Sequence, residues 1–313
     1  MYYKCGAVKG SKTLCIAPLF KGIGGVLVIR AGTCAFQDHD SFYPRSISPR
    51  ERLRYYARYF SVVEIDSTFY GLLRAGTWEK WLTLVPDNFL FHVKAHKAMT
   101  LHDRSLDRDA RRVLVREFMD SLAPVHARGQ LGCVLLQFPP WFGASRIHVA
   151  TVERIVDMCQ GYGVTVAIEF RERSWFATPE RSESTLAWLR RLGAVHVICD
   201  EPDAGVGSVP LVPALTNRAF GLLRMHGRNR EMWDKPGLKS SKERFDYRYT
   251  KLELEALWPV LAPLTESVDE FHILMNNNSN NDAVWNTFDW LELLHLADKP
   301  RPTLDTSEQL RLL

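Results

Sequence analysis

Short apolar and β-branched runs recur along the chain at 26–31, 62–66, 89–94, 133–138, 164–171, 194–200, 221–226 and 271–276. Each is of strand length. Between them lie helix-favouring segments at 48–60, 76–84, 107–128, 145–160, 180–192, 251–264 and 282–297. Strand–helix alternation predicts parallel strands joined by right-handed crossovers. Eight such units predict a closed (β/α)8 TIM barrel, a single domain over 26–297 with its helices outside, rather than an open doubly wound sheet. No G-x-G-x-x-G turn follows the first run, which argues against a dinucleotide-binding unit.

Within the runs, polar residues fall on alternate positions, and alternate side chains share one face of a strand. Val166, Ile168 and Phe170 form one face of the fifth run, and Ala167, Glu169 and Arg171 the other. Glu64 and Asp66 share a parity with Val62. The same split groups His92 with Lys94, Leu135 with Gln137, His196 with Asp200, Arg224 with His226, and His272 with Asn276. The polar set is therefore expected inside the barrel, with His92, His196 and His272 one layer below the rim. A lone polar residue there is ordinarily a satisfied core group. A set spread over seven strands is expensive to bury without a task, and it crowds towards the C-terminal strand ends, where barrels of this kind place their active sites.

Two long segments extend that rim. Residues 201–219 are rich in Gly and Pro, and 227–250 interleave Arg228, Arg230, Lys235, Lys239, Lys242, Arg244 and Arg248 with Trp233, Phe245, Tyr247 and Tyr249. Such a mixture binds phosphates and stacks bases. The alternative is a solvated loop whose aromatics pack on the barrel top.

Composition narrows the classes only a little. The chain of 313 residues is 46% hydrophobic and 24% charged, with a net charge of +4, so bulk charge selects no partner. No apolar run approaches the ~18–20 residues of a membrane span, so no membrane partner is expected. The six cysteines lack a C-x-x-C pair, which speaks against a zinc ribbon or a disulfide framework and fits a reducing cytoplasm. Cys133 and Cys199 read as small buried hydrophobes. Residues 1–25 carry four lysines and no acid, and Pro18 interrupts the apolar stretch from Leu14 to Phe20. A loose extension is expected there rather than a signal peptide, with a tail over 298–313.

The strings GTCAF (32–36), FYP (42–44), YYARYFSVVEIDSTFY (55–70), FHVKAHKAMT (91–100), LLQFPP (135–140), AIEFRERSW (167–175), RMHGR (224–228), DYRY (246–249) and MNNN (275–278) occur in one order. Together they resemble the YecE-like family, domain of unknown function 72, from about residue 27 to 297. The chain departs from many members at Cys34-Ala35-Phe36, where they read Ser-Gly-Trp, and at Glu172, where they read His. The resemblance implies a (β/α)8 barrel remotely similar to xylose-isomerase-like and endonuclease-IV-like barrels. It implies no established reaction.

The rim itself suggests the chemistry. Glu64 and Glu169 suit general acid–base work or hard-metal binding, and with Lys94 and His226 they are the catalytic candidates. Asp66, Gln137, Arg171, Trp175, Asp200, Arg228, Tyr247, Asn276, Asn277 and Asn278 are the binding candidates. A phosphate pocket is expected at His226, Gly227, Arg228 and the asparagine run, with Arg171 and Arg228 as bidentate clamps. One divalent ion on Glu64, Glu169, Asp200 and His226 is a further candidate, against the simpler pairing of those acids with Lys94 and Arg171. Three functions follow. The first is a hydrolase or lyase acting on a phosphate-containing substrate, nucleic acid included. The second is a glycosidase or sugar isomerase using the two glutamates. The third is a non-catalytic nucleic-acid or phospho-ligand binder using 227–250.

Overall fold

Eight parallel strands close on themselves in sequence order, each paired with its neighbours and β1 with β8. They are β1 (Val28–Thr33), β2 (Val62–Ile65), β3 (Leu90–Lys94), β4 (Leu131–Gln137), β5 (Val166–Glu169), β6 (Val195–Asp200), β7 (Phe220–Met225) and β8 (Glu270–Met275). The computed structural model describes residues 27–302 apart from 239, 241 and 242. The stretch 1–25, Lys239, Lys242 and residues 303–313 lie outside the described residues.

Helices surround the barrel: α1 (Arg52–Tyr56), α2 (Ala75–Leu82), α3 (Arg108–Ser121), α4 (Ala123–Ala127), α5 (Arg146–Gln160), α6 (Pro179–Arg191), α7 (Arg230–Trp233), α8 (Lys251–Thr265) and α9 (Asp282–Leu293). The segment expected as one helix over 107–128 is two. Pro124 stands in the first turn of α4, where a missing N–H is harmless, and it cannot continue the ladder of α3. The 48–60 segment contracts to α1 behind a 3₁₀ turn at Pro49–Glu51. β1 lies two residues later than its apolar run because six consecutive pairs with β8, from Val28↔Glu270 to Thr33↔Met275, set its ends. Among the described residues no helix fills 201–219, which crosses irregularly from β6 to β7.

Register partners in a parallel sheet point the same way, so the pairs trace the interior around the barrel. Glu64↔His92, Lys94↔Leu135, Gln137↔Glu169 and Cys199↔Arg224 all lie on the inner side. Of the seven strands whose interior face parity anticipated, six agree, but β6 is inverted. Its inner face is Val197 and Cys199, continuing to Glu201, whereas Asp200 pairs with the outward Met225. His196 accordingly meets Phe176 at 5.2 Å and the Val212 carbonyl at 3.1 Å outside the barrel wall.

Candidate active site

The lower interior is a closed hydrogen-bonded chain. His92 Nδ1 lies 2.8 Å from Cys133 Sγ, and its Nε2 lies 2.8 Å from His272 Nδ1. His272 Nε2 reaches Glu270 at 2.9 Å, and Arg30 donates to Glu270 at 3.2 Å. Burial holds His92 well below the ordinary histidine range, and Phe220 packs across both rings. These histidines are satisfied core groups beneath the rim.

One layer up, Arg224 stands at the centre. Its Nε donates to Glu64 Oε2 at 3.0 Å and its Nη2 to Glu64 Oε1 at 2.7 Å, while Nη1 donates to Glu169 Oε2. All three side chains are buried. Glu169 Oε1 accepts from Gln137 Nε2 at 2.6 Å and lies 3.1 Å from His226 Nε2. Burial would raise the Glu169 carboxyl, but Arg224, His226 and Arg171 outweigh it and hold Glu169 well below the usual carboxylate range. Burial also lowers His226 to about 4, so its imidazole is neutral, with Asn276 2.8 Å from Nδ1. The acids were expected to pair with Lys94 and Arg171. Arg224 takes that place, and Arg171 comes only to 3.9 Å of Glu169.

Above this layer opens a cavity of about 480 Å3. Glu64, Asp66, Lys94, Gln137, Arg171 and Asn276 line it, as their parity anticipated, together with Asn278 from the asparagine run. Phe69, Tyr70, Trp81 and His102 line it without having been singled out, and Arg244 and Phe245 reach it from the basic and aromatic 227–250 segment. Burial and the neighbouring Glu64 raise Asp66 to about 6. Burial and Arg224 lower Lys94, whose Nζ sits 4.5 Å from the centre of the Phe69 ring. The Arg171 guanidinium carbon lies over Trp233, 4.7 Å from the ring centre, with its Nε 3.3 Å from Glu201 Oε2. Burial pushes Glu201 up to about 7.

Several expected binding residues belong to the scaffold instead. Arg228 forks onto Asp200 at 2.9 and 2.6 Å, and Tyr249 donates to the same carboxylate at 2.6 Å. Asp200 and Arg228 thus satisfy each other outside the barrel interior. The Gly227 amide, expected to face a phosphate, donates to Tyr249 at 2.9 Å. Asn277 donates to Tyr247 O and to Asn286, and the Tyr247 hydroxyl donates to Glu253. Trp175 is buried between Phe170, at 4.0 Å, and Trp188, and its indole donates to Phe142 O at 2.7 Å. It stacks in the helix layer and offers no platform to the cavity. The expected phosphate pocket after β7 and β8 is therefore closed by internal hydrogen bonds.

The metal set fails on the same ground. Asp200 points away from Glu64, Glu169 and His226. Another trio, Glu169, Cys199 and His226, brings ligand atoms within 4.8 Å of one another. Arg224 and Gln137 already occupy the Glu169 oxygens, and two guanidinium groups beside them repel a cation. The buried Cys199 thiol is pushed well up, by burial first and then by Glu169, so its thiolate is not at hand.

The sequence profile described as "Protein of unknown function DUF72" matches residues 30–309. The chain belongs to the DUF72 family. UPF0759 protein YunF of Bacillus subtilis is 39% identical to this DUF72 chain over 272 residues, covering 86% of the chain and 95% of YunF. UPF0759 protein YecE of Escherichia coli is 29% identical over 156 residues, 47% of the chain and 52% of its own length. A solved DUF72 protein from Enterococcus faecalis superposes with a TM-score of 0.79 at 27% identity, over 88% of this chain and 98% of that one. One from Thermotoga maritima gives 0.74 at 28% identity, over 86% and 99%. Among the described residues no helix is long and apolar enough to cross a membrane.

Proposed function

We propose that the chain is an enzyme of the lyase or hydrolase class acting on a small phosphate-bearing substrate in the cavity at the C-terminal mouth of the barrel. One observation carries this. Arg171 and Arg244 share the cavity wall; Arg244 Nε is buried without a hydrogen-bond acceptor among the described residues, and Arg171 Nε, ion-paired at 3.3 Å with Glu201 Oε2, makes no hydrogen bond to it. Burial lowers Arg244, and the charge of Arg171 lowers it further. Two guanidinium groups that repel one another and face one cavity suit a ligand oxyanion that accepts from both. Lys94 and Asp66, across the same cavity, would then meet the reacting atoms, and Glu64, Glu169 and Arg224 form the rigid charged floor beneath them.

The other functions gain less from the geometry. Arg224 occupies both oxygens of Glu64, so neither a glycosidase pair nor a sugar isomerase pair of glutamates is free to exchange protons. Trp233 and Tyr249 are buried and Tyr247 is tied to Glu253, so the loop displays few rings for stacking bases.

Calorimetric titration with phosphate monoesters and their dephosphorylated counterparts tests the proposal. Saturable binding of the monoesters, absent from their counterparts and weakened by Arg244→Gln, supports it. Equal affinity for both classes would sink it.

A further inference from the structure

Lys94 ends β3 on the cavity wall, where its backbone is fixed on both sides. Thr68 Oγ1 donates to the Lys94 carbonyl at 2.6 Å, and the next amide, Ala95 N, donates to Leu135 O at 2.9 Å. The ammonium lies over Phe69. Glu64, Asp66 and Glu169 all act on it electrostatically, yet it forms no hydrogen bond or ion pair with a described residue. Arg224 has taken Glu64 and one oxygen of Glu169, and Gln137 holds the other. The arrangement leaves an amine on a rigid strand end, partly desolvated, uncommitted, and facing the cavity. These are the conditions that activate a lysine as a nucleophile towards a carbonyl.

We propose that Lys94 forms an imine with an aldehyde or ketone group of the substrate, which makes this a carbonyl lyase pocket. The substrate is then a carbonyl compound carrying a phosphate at a distance from its reacting carbon. That second half rests on the Arg171–Arg244 proposal above.

The step balances without an external oxidant or reductant. Neutral Nζ adds to the carbonyl carbon, and the C=O pair moves to oxygen. A proton passes from nitrogen to that oxygen, giving a carbinolamine. Protonation of the hydroxyl by the Asp66 carboxyl releases water and leaves an iminium. The iminium accepts the electron pair of a breaking C–C bond while Asp66 takes the proton of the hydroxyl on the departing carbon, giving an enamine and a free carbonyl fragment. Asp66 then returns the proton to the enamine carbon, and addition of water to the iminium so formed frees the product and Lys94. Asp66 follows β2 two positions beyond Glu64, and Glu64 pairs with His92 two positions before Lys94. The register therefore sets the two groups side by side.

Glycolaldehyde and glycolaldehyde phosphate, each with cyanoborohydride, test both halves, because reduction fixes an imine as a stable secondary amine that peptide mass mapping can place. Lys94 should be alkylated by both aldehydes several-fold faster than the exposed Lys80 and Lys251, since burial and Arg224 enlarge its neutral fraction and the cavity holds the aldehyde beside it. Lys94→Arg, which keeps the charge, should remove that fast adduct while the thermal melt stays in place. With the phosphate probe the modification should saturate at lower concentration, and Arg244→Gln should abolish that advantage. If both probes favour Lys94 equally, the imine stands and the phosphate proposal fails. If Lys94 reacts no faster than Lys80 and Lys251 with either probe, the imine proposal is overturned.

Discussion

Arg224 grips Glu64 with two parallel hydrogen bonds, 3.0 Å from Nε and 2.7 Å from Nη2, in a barrel interior where both side chains are shut off from solvent. The third arm of the same guanidinium holds Glu169. Two carboxylates on β2 and β5 are thus kept apart and fixed by one cation from β7. Removing it leaves Glu64 buried without its bidentate partner and Glu169 with only Arg171 at 3.9 Å, which costs about 3–5 kcal/mol. Arg224→Met should lower the urea-unfolding free energy by that amount, and adding Glu64→Gln should recover part of it. A loss below about 1 kcal/mol would mean the three groups are hydrated in solution.

Arg228 and Arg244 make opposite predictions although both come from the 227–250 segment. Arg228 is committed to Asp200, so Arg228→Gln should lower the melting temperature and leave phosphate-ester affinity close to wild type. Arg244 has no described partner, so Arg244→Gln should leave the melt unchanged and weaken the ester roughly tenfold or more, the loss expected for a charged hydrogen bond of about 1.5–3 kcal/mol. Calorimetry and thermal melts on the two variants separate these roles. The reverse pattern would return the anion site to the end of β7.

The barrel and most of its polar floor could be read from alternation, because Glu64, Lys94, Gln137 and Glu169 each stand at or near a strand end with apolar neighbours of opposite parity. The inversion of β6 could not. Its inward residues, Val197 and Cys199, are apolar, while His196 and Asp200 are polar for other reasons: one bonds a loop carbonyl and the other anchors Arg228. Arg224 had the right parity, but arginine is seldom buried. Its role depends on two acids 160 and 55 residues away in sequence. Arg244 and Phe245 reach the cavity through an irregular loop, and no periodicity marks where such a loop folds back.

Ala35 carries a further consequence. Its φ of 143° lies where a Cβ is strained, at a position where many YecE-like sequences place glycine. The conformation is held from outside, since the Ala35 carbonyl accepts from Thr33 Oγ1 and contacts His39 Nε2 at 3.0 Å. Ala35→Gly should therefore stabilise the fold by about 1 kcal/mol, the strain relieved being partly offset by the extra freedom of the unfolded chain. A urea titration at neutral pH checks the sign. A destabilised variant would show that the backbone there is relaxed.

His196 should give the fold a measurable acid sensitivity. Burial against the barrel wall lowers its pKa from 6.5 to about 4, and the Val212 carbonyl only partly opposes this. Between those two values the unfolded chain holds a proton that the folded chain has released. The contribution is therefore complete above pH 6.5 and drains away as the pH falls towards 4, on the order of 3 kcal/mol at most. Glu201, raised to about 7 by burial, acts in the opposite direction, so the wild-type profile alone would mix the two. His196→Gln keeps a donor for Val212 and removes the titration, while Glu201 is common to both proteins and cancels in their difference. The stability gap between wild type and His196→Gln, measured by urea unfolding at pH 7.5, 6 and 4.5, should narrow steadily with acidification. A gap that stays constant would place His196 in contact with water and undo the outward assignment of its side of β6.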